Sequence, residues 1–353
     1  MKRMRALISA LALALLLLGS TTNAAPATPT PQIAFAWAYA AGDYVRSTPA
    51  ASGNVVYVGA DDNALHAVNA DTGERIWRYE TGDNVTSSPV VASGVVYFGS
   101  WDGNVYALDA AQGKLRWRYA TGGWVTGAPR LAGEVLFVTS YDGYVYALKA
   151  GDGTLLWRYR TAGPIEGGPA WGENVVFAAS GDGYLYALDA ARGTLRWRYW
   201  AAGPLMSTPA VAAGSVFAGL LDGQFLALDA VTGRLLWTFR GDAAFESSPA
   251  AAGGAVYVGA DDGQVYALDA RDGHTLWQYR AGSLVRSAPA VSNALVFFGS
   301  DDGYLYALDV KTGAPAWRYR TAGAIAAGPA VAGNKLYVGS TDRRLHAFAL
   351  GSK

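Results

Sequence analysis

The chain contains no cysteine in 353 residues. Disulfides, thiolate catalysis, iron–sulfur clusters and Cys-ligated zinc are thereby excluded. Histidine is nearly as scarce, with three copies, at His66, His274 and His346. No Ser/His/Asp or Glu/His set is visible around them, so no catalytic residue and no metal ligand set is assigned. Net charge is also missing: 28 Lys and Arg balance 28 Asp and Glu. A neutral chain lacks the electrostatic footprint of a nucleic-acid binder, and no basic run stands outside the N-terminus. What is present is 51% hydrophobic and 16% charged, the composition of a folded protein.

The longest apolar run, Ala6 to Leu18, is too short to span a bilayer comfortably. Lys2, Arg3 and Arg5 precede it, and small and polar residues follow through Ala25. This is the pattern of a secretory signal peptide over residues 1–24, cleaved after Ala24. A lipoprotein would need a cysteine at the cleavage site. The expected location is therefore periplasmic or secreted, with no transmembrane segment after signal removal. Residues 25–34 read as a Pro/Thr-rich linker.

From residue 35 to residue 353 the sequence repeats. Trp37, Trp77, Trp117, Trp157, Trp197, Trp237, Trp277 and Trp317 fall forty apart, and so do Pro49, Pro89, Pro129, Pro169, Pro209, Pro249, Pro289 and Pro329. Within a repeat, short β-rich runs alternate with turn signals such as Asp61-Asp62-Asn63 and Asp71-Thr72-Gly73. In the first repeat the strands are expected at Val45–Ala51, Val55–Gly59, Leu65–Asn69 and Ile76–Tyr79. Four strands per forty residues, repeated, make a propeller blade. Proline cannot donate to a ladder, so its strand belongs at the channel edge and the Trp strand at the rim. The last repeat lacks a Trp strand, and Phe35 to Tyr39 is a Trp strand with no blade before it. The expected fold is all-β: an eight-bladed β-propeller of four-stranded blades, closed by that N-terminal strand in the last blade.

The segments ALDAAQGKLRW (Ala107–Trp117), ALDAVTGRLLW (Ala227–Trp237) and ALDVKTGAPAW (Ala307–Trp317) resemble the tryptophan-docking repeat of the PQQ-like, quinoprotein-type propeller family. Asn69 and Lys149 replace the usual Asp. The period also matches WD40 propellers, but no repeat Trp is followed by Asp. The family contains PQQ-dependent dehydrogenases, which bind the quinone with calcium over the channel mouth, and non-catalytic outer-membrane assembly factors of the BamB type. The resemblance implies that the eight repeat tryptophans lock neighbouring blades, each buried indole contributing roughly 3 kcal/mol or more.

In near-identical repeats the informative positions are those that break the pattern. Three residues before each Pro stand Arg46, Thr86, Thr126, Glu166, Met206, Glu246, Arg286 and Ala326. Arg46, Glu166, Glu246 and Arg286 would place split charge around the channel, for a polar ligand or a partner's loop; the plainer reading is a solvated wall. A carboxylate pair is acid–base chemistry only at the right separation, which spacing does not give. The loop entering the channel strand carries Tyr44 and Trp124. The turn between the central strands carries Trp101 and Tyr141. Strand direction puts both on one face, so Tyr44, Trp101, Trp124 and Tyr141 are candidate partner-binding residues. Leu205, Leu221 and Phe245 would form a second apolar area. The repeated Asp-Gly pairs, Asp102 to Asp302, suggest calcium but equally suit hairpin turns. His66 and His346 occupy slots held elsewhere by Tyr106, Tyr146 or Tyr186, which points to packing.

These observations favour a non-catalytic, monomeric interaction scaffold with a protein or peptide partner and no cofactor, nearer the BamB type than the dehydrogenases. The chain lacks the insertions that build the dehydrogenases' cofactor lid, and their adjacent cysteine pair. A PQQ–calcium oxidoreductase and a glycan or small-ligand binder are the alternatives. On the rim, Arg78, Arg118, Arg158, Arg198 and Arg318 should blunt edge pairing.

Overall fold

The computed structural model describes residues 32–292 and 294–351. The expected signal peptide and residues 25–31 of the expected linker lie outside them. The first repeat forms strands Ala50–Ser52, Val55–Ala60, Ala64–Asn69 and Arg75–Glu80, hydrogen-bonded antiparallel in that order. Eight such four-stranded sheets succeed one another, with no helix among the described residues. The molecule is an eight-bladed β-propeller.

The second and third strands are buried on both faces; Val95–Gly99 is buried throughout. β-branched and aromatic residues on both sides of the pleat suit a sheet packed between two others. The core is accordingly distributed between blades: Tyr57 and Leu65 of blade one meet Val96, Phe98 and Leu108 of blade two.

The channel strand is shorter than the expected Val45–Ala51. It begins at Ala50, immediately after Pro49. Proline has no N–H to give the ladder, and the residues before it bond elsewhere. The Ser47 hydroxyl donates to the Gly59 carbonyl over 3.0 Å. The Thr48 N–H donates to the Ser88 hydroxyl of the next blade over 2.9 Å. The lead-in segments thus stitch blade to blade around the channel.

In every outer strand one residue is skipped just before the Trp: Ala67 opposes Trp77 and Val68 opposes Arg75, leaving Ile76 unpaired. This β-bulge adds twist and swings the indole toward the neighbouring blade. The N-terminal strand repeats it between Phe35 and Trp37. That strand runs Ile33–Ala40, two residues earlier than expected, because Ile33 pairs with Leu350 and Ala34 with Ala349. It is the outermost strand of a sheet whose other three strands are the last three of the chain. Between that blade and the first, the Val45 N–H donates to the Ser340 carbonyl over 3.1 Å, and Lys335 Nζ donates to the Ala70 carbonyl over 2.7 Å. Lys335 is also paired with Asp71.

Candidate interaction face

The Asp-Gly turns explain themselves locally. Asp102 Oδ2 accepts from the Tyr106 hydroxyl at 2.6 Å and from the Gly82 N–H at 2.8 Å, while Oδ1 accepts from the Asn104 N–H at 2.9 Å. Asp142, Asp182 and Asp302 repeat the pattern with Tyr146, Tyr186 and Tyr306. Burial pushes Asp102 up, but these hydrogen bonds outweigh it and hold its carboxyl below the ordinary value. Burial and then the Asp102 bond push Tyr106 far up. His66 and His346 fill the tyrosine slot: Nε2 lies 3.1 Å from Asp62 Oδ1 in the first and 2.9 Å from Asp342 Oδ2 in the second. The carboxylates of these turns are occupied by the fold itself.

The aromatic pattern-breakers converge, with one exception. Trp101 of blade two stacks on Trp124 of blade three, ring centroids 4.8 Å apart and planes within 16°. Tyr141 tilts against the same indole at 5.2 Å. The turns are pinned by backbone bonds, Trp101 N–H to the Asn84 carbonyl and Tyr141 N–H to the Trp124 carbonyl, each 2.9 Å. Trp124 remains 44% exposed and Tyr141 40%. Tyr44 does not join them: among the described residues its ring stacks on no other ring, and the Arg46 guanidinium sits over it at 5.1 Å.

Trp101 reaches the channel ring, its Nε1–H donating to the Thr86 hydroxyl over 2.7 Å. In that ring the charges are not simply split, as the sequence suggested. Arg286 binds Glu246 of the preceding blade at 3.0 Å and lies 3.5 Å from Asp261 and 3.7 Å from Asp301. Arg46 pairs with Asp61 at 3.3 Å. Glu166 enters no ion pair among the described residues. Burial, then the charge of Glu246, raises its pKa. Burial likewise raises Asp61 and Asp301, against the pull of their arginines.

The expected second apolar area is absent. Leu205 and Phe245 are fully buried, leaving Leu221 exposed alone. Their slot points into the blade interface: Phe245 packs against Phe225 and Tyr266. Sequence reasoning missed Trp200, 54% exposed at the end of an outer strand and 4.9 Å from the Tyr184 ring. It breaks its own series, Glu80, Ala120, Arg160 and Arg240, which is the signal that would have found it. The rim arginines do more than repel: Arg158, Arg198 and Arg318 lie 4.7–4.9 Å over Tyr144, Tyr184 and Tyr304. On the opposite face, two shallow hollows of about 240 and 390 Å³ lie between blades two and three and between blades eight and one. Asp269, Asp272 and His274 also converge there, within 4.8 Å. Arg271 already holds Asp269 at 2.8 Å, and His274 Nδ1 lies 2.6 Å from Asp272.

The fold and this face define an eight-bladed propeller whose repeats are structural and whose individuality sits at one channel mouth. The repeats match the family described as outer membrane protein assembly factor BamB over residues 30–100, 65–165, 145–246 and 240–352, and the chain belongs to that family. No curated protein matches it in sequence. Among solved structures it is similar to BamB from Moraxella catarrhalis, at 22% identity and TM-score 0.77, covering 91% of this chain and 99% of that one. It is also similar to a computationally designed protein, at 18% identity and TM-score 0.80, covering 90% and 100%. A third is the quinohemoprotein alcohol dehydrogenase from Comamonas testosteroni, at 19% identity and TM-score 0.75, covering 91% and 77%. Among the described residues no helix is long and apolar enough to cross a membrane.

Proposed function

We propose that this chain is a non-catalytic scaffold of the bacterial envelope, periplasmic or secreted, that binds a protein partner through the face bearing Trp101, Trp124 and Tyr141. The observation that carries the reading is the stack itself. None of the three rings belongs to the repeat, and Trp124 stays 44% exposed although every repeat tryptophan is devoted to blade contacts. Rigid aromatic area left in water at a channel mouth is what a partner covers. Family membership supports the same reading.

The alternative is a PQQ–calcium oxidoreductase. Against it, Trp101 already covers one face of Trp124, and Arg286, a candidate for the quinone's carboxylates, is shared among three acids. The turn aspartates that would serve calcium are bonded to their own tyrosines. We derive no chemistry through that group.

The test is site-specific photo-crosslinking in a bacterial envelope extract, with the photoreactive residue at position 124, at 141, or at exposed Val231 on the opposite face. Adducts to one protein from 124 and 141 and none from 231 are expected. Equal adducts from 231, or none from 124, overturn the reading. Saturable quenching of tryptophan fluorescence by PQQ with Ca²⁺, lost in Trp124→Ala, would replace it with the cofactor alternative.

A further inference from the structure

The channel mouth beside the aromatic stack is short of positive charge. Among the described residues, Asp61, Glu166, Glu246, Asp261 and Asp301 face only Arg46 and Arg286, in a chain that is neutral overall. The shortage shows in individual atoms. Asp61 is 9% exposed at its side chain, and its Oδ1 is buried with no hydrogen-bond partner; Asp261 Oδ1 is buried too and has only a long ion pair, to Arg286 Nε at 3.5 Å. Glu166, exposed at the mouth, has no cation at all among the described residues, and partial desolvation and then the charge of Glu246 oppose its ionisation. Buried acceptors without donors are costly unless something supplies the missing hydrogens.

The stack and the acids are one surface. Trp101 bonds Thr86 of the ring, and Thr126, the next ring member, donates its hydroxyl to the Glu166 backbone carbonyl over 2.8 Å. Thr126, two residues after Trp124, thus ties the platform's loop to the ring position of Glu166. The acids do not converge on a point. Among the described residues, Asp269, Asp272 and His274 are the one group of three bringing ligand atoms within 4.8 Å of one another. The mouth carboxylates are spread over blades one, four, six and seven, too dispersed for a single metal ion and suited to cations spaced along a chain.

We propose that the occupant of this face is an extended basic peptide segment of a partner protein, with Lys or Arg side chains at the acidic ring and an adjacent aromatic or aliphatic side chain on Trp124 and Tyr141. The inference deepens the scaffold reading and rests on it. Ammonium and guanidinium groups supply the donor that Asp61 Oδ1 lacks, a shorter bond than Arg286 gives Asp261, and the cation that Glu166 lacks. They also gain from the faces of the neighbouring indoles. Opposite charge across the contact speeds encounter and rejects acidic segments, so specificity arises from sign as well as shape.

The test uses the full mature chain and two dye-labelled ten-residue peptides, alternating Lys with Tyr or Glu with Tyr, followed by fluorescence anisotropy at two salt concentrations. Saturable binding of the Lys peptide and none of the Glu peptide is expected. The double variant Glu166→Gln with Glu246→Gln should weaken binding at least tenfold and flatten its salt dependence. Trp124→Ala should weaken it at both salt concentrations. Asp309→Asn on the opposite face controls for charge and should change nothing, and thermal melts check that each variant is folded. Equal binding of the Glu peptide, or unchanged affinity in the Gln double variant, overturns the proposal. If position 124 crosslinks a partner yet the Lys peptide does not bind, the basic-segment inference fails and the scaffold reading stands.

Discussion

Trp77 donates its indole N–H to the backbone carbonyl of Ala110, 33 residues later in the next blade, over 3.0 Å. The same bond recurs from Trp37 to Ala70, Trp117 to Ala150 and Trp277 to Val310, at 2.9–3.1 Å. The ring that carries the bond also rests on a glycine. A Cβ at Gly113 would lie 2.6 Å from the Trp77 ring, and its φ is +68°. Among the described residues, indole and glycine recur together at seven of the eight blade junctions, from Gly73 on Trp37 to Gly313 on Trp277, and form one device for attaching a blade to the next.

Gly113→Ala should therefore lower stability by about 2–4 kcal/mol, from a left-handed backbone and an overpacked indole together. Gly133→Ala is the control: its φ is +61°, but nothing lies within 4 Å of the added Cβ. Only the backbone cost of about 1 kcal/mol remains there. Denaturant midpoints of the two variants separate the docking contact from the conformational term, and equal losses would mean that the indole simply moves aside.

Tyr106→Phe keeps the ring against Phe98, 5.2 Å away, and removes the hydroxyl from Asp102. Asp102 has a folded pKa below the ordinary 3.8. Its contribution is present above that value and lost as pH falls through the lower folded value. The variant should lose about 1–2 kcal/mol at neutral pH, a hydrogen bond to a charged, part-exposed group. The difference from wild type should shrink toward about pH 3. Urea unfolding at both pH values measures it; a loss independent of pH would assign the effect to packing.

His346 is one of two histidines in the tyrosine series, and its Nδ1 is buried without a partner. In blade three, Tyr146 opposes Val138 and reaches Asp142 at 2.6 Å. His346 likewise opposes Val338, so a tyrosine has a precedent for its room. His346→Tyr should stabilise by about 0.5–1 kcal/mol by removing the orphan nitrogen while keeping a bond to Asp342. A lower thermal midpoint would show that the last blade is tighter than its siblings.

The period of forty and the position of proline made the blade and its strand order legible, since both are properties of spacing. Trp101, Trp124 and Tyr141 were legible as departures from the repeat on one face. Tyr44 was misplaced because Arg46, two residues on, can fold back over its ring, and side-chain reach is not written in spacing. Leu205 and Phe245 were misread although the sequence held the answer: their slot is Val45, Val85, Val125, Ile165, Val285 and Ile325 in the other blades, apolar everywhere and hence core. The bulge before each Trp and the sharing of Arg286 among three acids depend on register and rotamer, which no single sequence displays.

Arg286 joins stability to recognition, because it is the cation nearest to Glu246, Asp261 and Asp301. Burial already holds Asp301 above the ordinary carboxyl value, with Arg286 pulling it down. A carboxyl whose folded pKa is raised favours the folded state only below its unfolded value, and that advantage is lost as pH rises through the folded value. Arg286→Met removes the restraining charge, so it should destabilise the protein by about 1 kcal/mol at neutral pH, modest because the guanidinium is partly exposed. The deficit should close as the pH falls and Asp301, whose carboxyl is held above the ordinary value, takes up its proton. The same substitution leaves the mouth with more uncompensated negative charge. A less stable variant should therefore bind the Lys–Tyr peptide more tightly, with a steeper salt dependence. Urea unfolding across pH and anisotropy on one preparation measure both. Weaker binding in Arg286→Met would mean that the guanidinium itself contacts the partner, and the ring would then be reading carboxylates rather than cations.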